Sequence, residues 1–131
     1  MNPLILFINK VKMSVIHIKG TEQFKKDILE HKGLSIVDFW AERCGPCRML
    51  GPIIEQLAEK FPNVKIAKVN VEDNQELSAA FQVSSIPVVY FIKDGNVIEK
   101  LVGVNPPTVY EEKIAEYSAP TTENKETKGT T

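Results

Sequence analysis

The chain has two cysteines in 131 residues, and both lie in the stretch WAERCGPCRML, with only Gly45 and Pro46 between Cys44 and Cys47. A disulfide stabilises by restricting the unfolded chain, and it does so least when the closed loop is short. Stapling therefore gives little reason to place two cysteines one helical turn apart. Thiol chemistry gives a better one. If a strand ends and a helix begins here, Cys44 sits where unpaired N–H groups and the positive end of the helix dipole favour an anion. A thiolate is such an anion, and it is the reactive form of cysteine. Cys47 then lies one turn deeper on the same helix face, able to reach the Cys44 sulfur while shielded from outside reagents. Pro46 is tolerated in a first turn, where its missing N–H would have no partner, and Gly45 leaves the approach to the sulfur open. Structural zinc needs about four ligands, yet the only histidines, His17 and His31, are upstream and far apart. Zinc, a cluster shared between subunits and an inert core pair are the weaker readings.

Asp38 is the second singular residue, set in the apolar run IVDFW. An ionised carboxylate is expensive to bury unless paired or neutralised, and burial raises its pKa. Asp38 is thus a candidate proton acceptor near neutrality; the alternative is a solvated aspartate at a strand edge. Strand alternation puts it on the face opposite Val37 and Phe39.

The elements that must carry these residues follow from periodicity. Val15, Ile16 and Ile18 predict a short first strand. Thr21 reads as an N-cap, Phe24, Ile28 and Leu29 as one helix face, and Gly33 as the helix stop. Leu34 to Trp40 is β-branched and aromatic, as a strand buried on both faces would be. Met49, Leu50, Ile53, Ile54, Leu57, Ala58 and Phe61 recur at helical spacing, with Pro52 predicted to kink the helix. Val64 to Val71 reads as a strand and Gln75 to Phe81 as a short helix. Pro87 to Ile92 and Val97 to Val102 flank Asp94-Gly95, a hairpin signal. Thr108 and Glu111 form a capping box for a last helix bearing Tyr110, Ile114 and Tyr117. The order β-α-β-α-β-α-β-β-α predicts an α/β fold, a mixed sheet with helices on both faces.

Composition agrees with one globular domain, 43% hydrophobic and 25% charged. A net charge of −1 gives no electrostatic footprint for nucleic acid or an anionic membrane. Two cysteines suit a reducing compartment. Leu4 to Ile8 is too short an apolar run to span a bilayer, and Lys10 and Lys12 follow it instead of preceding it, unlike a signal peptide. Residues 1–13 therefore read as an extension, 14–118 as the domain, and 119–131 as a polar, disordered tail.

A C-x-x-C within a βαβ pattern is a redox motif, and here its surroundings resemble the thioredoxin family. The resemblance rests on VDFWAERCGPCRMLGPIIEQLA, KVNVEDN, SIPVVYFIKDG and Gly103, and covers Ser14 to Ser118. It implies a thioredoxin fold and a protein-disulfide reductase working through a reversible Cys44–Cys47 disulfide in cell redox homeostasis. Cys44 would attack and Cys47 resolve. Asp38 would help deprotonate Cys47 through a water, with Lys68 as its charge partner. Gly45 and Pro46 would set the redox potential. Ile86-Pro87 would be a cis-proline turn where, with Gly103 and Trp40, an extended substrate segment binds. The family usually carries tryptophan immediately before the first cysteine; this chain has Arg43, which bears on redox tuning and substrate contacts. The resemblance also implies no bound cofactor or metal. Reduction would come from NADPH through a flavoprotein thioredoxin reductase, and disulfide-containing proteins would be the substrates of a cytoplasmic monomer. A non-catalytic binding subunit of the same fold, or an oxidant or isomerase in an exporting compartment, are the alternatives.

Overall fold

Leu34–Trp40 forms the central strand of a five-stranded sheet, and its first six residues are all buried. In this computed structural model, which describes residues 15–119, the elements are β1 (Val15–His17), α1 (Thr21–Phe24, continuing as a π-helical turn, Lys25–Leu29), β2 (Leu34–Trp40), α2 (Gly45–Lys60), β3 (Lys65–Asn70), α3 (Gln75–Ala80), β4 (Val88–Lys93), β5 (Asn96–Val102) and α4 (Pro107–Ser118). The expected order holds. Strands lie in the order β1-β3-β2-β4-β5, with β1, β3 and β2 parallel and β4 and β5 antiparallel to their neighbours. Residues 1–13, expected as an extension, and residues 120–131 of the expected tail lie outside the described residues.

Alternation along β2 divides the core in two. Val37 and Phe39 pack with Phe24 and Ile28 of α1 and Leu77 of α3. Ile36 packs on the other face with Leu50, Ile54 and Leu57 of α2 and Tyr110 and Ile114 of α4. Each of these large side chains contributes about 1.5–3 kcal/mol on burial. Helices thus cover both faces of the sheet, as expected.

Local expectations fail in four places, each for a physical reason. Thr21 is the first helical residue and not the N-cap; Gly20 takes that place at φ 93°, its N–H held 2.7 Å from Asn74 Oδ1. The helix closes before Gly33 through a π-type bond from Glu30 N–H to the Lys25 carbonyl, and the wider turn leaves Leu29 40% exposed. Met49 is 67% exposed because consecutive helix residues point about 100° apart and Leu50 takes the inward direction. Thr108 caps nothing, since Pro106 is the N-cap of α4 and Pro107, with no N–H to satisfy, fills the first helical position.

The hairpin follows its signal. Lys93 pairs with Asn96 across a two-residue turn in which Asp94 and Gly95 both have positive φ, 51° and 84°. Such a turn matches the twist of the flanking strands.

Candidate active site

Strand β2 ends at Trp40, and the chain turns through Ala41–Arg43 to Cys44, the N-cap of α2. Cys44 has extended backbone, and its sulfur accepts from the Cys47 N–H at 3.1 Å. The helix terminus therefore directs an unpaired donor at that sulfur, as an incipient thiolate requires. Gly45, Pro46 and Cys47 follow as the first helical turn. Cys44 and Cys47 are joined as a disulfide, their Cα atoms 5.2 Å apart. Cys47 is buried at 2% exposure, whereas Cys44 is partly exposed. Outside reagents meet Cys44 first.

Asp38 lies on the face of β2 that α2 covers. It is fully buried, and neither carboxylate oxygen has a hydrogen-bond partner. Burial pushes its pKa up from 3.8 to about 7, only partly opposed by the Lys68 ammonium. Lys68 stands opposite Asp38 in the β2–β3 register. Its Nζ does not reach the carboxylate; it lies 4.4 Å from the centroid of the Trp40 ring. A cation over an aromatic face is attracted by the ring quadrupole.

The third wall comes from β4 and the loops beside it. The Ile86-Pro87 bond is cis, and the Ile86 carbonyl oxygen lies 3.8 Å from the Cys44 sulfur. Gly103, at φ 86°, donates its N–H to the Pro87 carbonyl at 2.8 Å. Buried Tyr110 of α4 holds this loop from behind, its hydroxyl accepting from Asn105 N–H at 3.1 Å. Two separated segments thus meet at the Cys44 sulfur, and Gly103 braces the second of them.

Arg43 is exposed beside Cys44. Sequence reasoning overlooked Arg48, whose Nη1 donates to the Glu42 carbonyl at 2.7 Å and so ties α2 to the loop before Cys44. Its place just after the C-x-x-C was the available signal. Among the described residues, no three His, Cys, Asp or Glu side chains gather as a metal site, and no helix is long and apolar enough to cross a membrane.

Comparison with known proteins agrees with this geometry. The family model for thioredoxin matches residues 14–116. Thioredoxin of Chlamydia pneumoniae is 44% identical over 90 residues, 69% of this chain and 86% of that protein. Thioredoxin of Bacillus subtilis is 38% identical over 99 residues, 74% and 93% of the two chains. The X-ray structure of Fasciola hepatica thioredoxin superposes with a TM-score of 0.73 at 39% identity, covering 78% of this chain and 98% of that one. With its vicinal cysteine pair at the strand–helix junction, the chain belongs to the thioredoxin family and is a thiol–disulfide oxidoreductase.

Proposed function

We propose that the protein reduces disulfides of other proteins with Cys44 as nucleophile and Cys47 as resolving thiol, within a domain spanning residues 14–118. The observation that carries this assignment is the unequal exposure of the two sulfurs, with the α2 N–H aimed at the accessible one.

The Cys44 thiolate attacks one sulfur of a target disulfide. That bond breaks, its other sulfur leaves as a thiolate, and a mixed disulfide forms. Cys47, losing its proton towards Asp38 through a water, then attacks the Cys44 sulfur. The target leaves with both thiols reduced, and two electrons now reside in it while Cys44–Cys47 is oxidised. A carboxylate held near pKa 7 can accept a proton at physiological pH. Lys68 keeps that value from rising further. Gly45 and Pro46 fix the short turn between the sulfurs and so influence redox potential, and the Arg43 cation favours the Cys44 thiolate.

Substrate binds in extended form against the Ile86 backbone, by strand addition, beside Pro87, Gly103 and Trp40. Reduction of the spent disulfide comes from NADPH through a flavoprotein thioredoxin reductase, and the protein itself binds no cofactor. The reducing cytoplasm is the compartment in which this cycle runs forward, and a monomer suffices for it. The test is NADPH-dependent reduction of a disulfide protein with a thioredoxin reductase supplied. Turnover that requires both cysteines is expected; no turnover would favour the non-catalytic subunit.

A further inference from the structure

The surface around the Cys44 sulfur is electrically lopsided. On the side facing Ile86 and Gly103 the loops carry no charge: Ser84, Ser85, Ile86 and Pro87, then Gly103, Val104 and Asn105. The segment that carries the cysteines brings two guanidinium groups. Arg43 is exposed next to Cys44, and exposed Arg48 is fixed against the same loop by its 2.7 Å bond to the Glu42 carbonyl. Neither arginine belongs to the ion pairs of the described residues, which are Lys25–Glu30, Lys60–Glu111 and Lys113–Glu99. The carboxylates of Glu42 and Asp73 line a cleft together with Trp40 and the Lys68 ammonium, so beside Cys44 the two guanidinium groups face one neighbouring carboxylate in the same loop, that of Glu42.

A segment docked by backbone pairing along Ile86 is held without regard to its sequence, because main-chain hydrogen bonds read no side chain. Discrimination must come from side chains beside the attacked sulfur, and there two arginines outnumber the single carboxylate of Glu42. We propose that Arg43 and Arg48 make the protein selective for disulfides flanked by acidic residues. This rests on the reductase reading above and names its substrate class. An aspartate or glutamate next to the attacked cysteine meets two cations within the distance over which charges act in dilute salt. A lysine there meets two like charges.

Three cyclic peptides, each closed by one disulfide and differing only in Glu, Gln or Lys beside the attacked cysteine, provide the test. The pre-reduced full chain is mixed with each, quenched in acid, and its remaining thiols are counted to give a rate constant. Rates with dithiothreitol correct for differences between the peptides themselves. Taking the Gln peptide as reference also cancels any effect of Arg43 on the Cys44 thiolate. At low ionic strength, about 20 mM, the Glu peptide should react roughly three- to tenfold faster than the Gln peptide and the Lys peptide slower. The spread should collapse in about 0.5 M salt and in the Arg43→Gln/Arg48→Gln variant. Equal rates for all three in the native protein, or a spread that survives in the double variant, would overturn the proposal. Failure of even the Gln peptide to oxidise the protein would instead overturn the reductase reading.

Discussion

The partly exposed Cys44 sulfur and the 2% exposure of Cys47 divide the labour between two chemically identical groups. Cys47→Ser should accumulate mixed disulfides with target proteins, since Cys44 still attacks and nothing resolves the product. Cys44→Ser should accumulate none. Non-reducing gels distinguish the outcomes, and equal capture by both variants would reverse the assignment. Asp38 makes a second prediction at this scale. Its folded pKa, about 7, exceeds the ordinary 3.8, so between those values the native state holds a proton that the unfolded state has released. The stability that goes with this proton is complete below about pH 4, is lost as pH climbs to about 7, and changes little beyond. Asp38→Asn removes that loss. It should stabilise the protein by about 1–3 kcal/mol at pH 8 and by little near pH 4, within the limit of 1.36 kcal/mol per pKa unit. Disulfide reduction should slow by roughly ten- to a hundredfold in the same variant. Denaturant midpoints at the two pH values check the stability change, and destabilisation at pH 8 would contradict the buried acid.

Among the elements, the β4–β5 hairpin shows how a turn is constrained twice. Its Asp94 and Gly95 need positive φ, and Asp94 Oδ1 also accepts from Gly33 N–H at 2.8 Å, tying the turn to the entry of β2. A methyl group on Gly95 would come within 2.6 Å of the Leu29 carbonyl oxygen. Gly95→Ala should therefore destabilise by about 1–3 kcal/mol, from left-handed strain together with a clash against backbone that cannot swing away. Thermal melts read this directly. Activity per folded molecule should hold, because the hairpin turn lies at the end of the sheet opposite Cys44.

Across the whole molecule the two ends of β2 respond to pH in opposite directions. Asp38 lies towards the active-site end. His31 lies just before the other end, with buried Nε2 unpartnered. Burial and the Lys65 ammonium hold the His31 pKa below 6.5, against the opposing pull of Asp94. A depressed histidine pKa means the unfolded state binds the proton first, so stability falls as pH drops below about 6.5. His31→Gln should flatten that acid limb while leaving the decline that Asp38 causes as pH rises to about 7, and melting temperatures across pH 5 to 8 would separate the two. An unchanged acid limb would mean that His31 makes no measurable contribution.

The sequence by itself determined the strand and helix order, the buried centre of β2 and the place of the cysteine pair, because periodicity and a C-x-x-C at a strand–helix boundary are local signals. It also marked Asp38, since a carboxylate within IVDFW has few exposed alternatives. The tertiary structure decided the rest. Helix starts moved where distant groups intervened, as Asn74 does at Gly20. Lys68 turned towards Trp40 instead of bonding Asp38, a choice made by three-dimensional packing between β3 and β2. Ile86, far from Cys44 in sequence, came to its side through the β2–β4 pairing, and Gly103 came to Pro87 through the β4–β5 pairing. That the facing loops bring no charge to the sulfur depends on those same long-range contacts, whereas Arg43 and Arg48 are its neighbours in the chain.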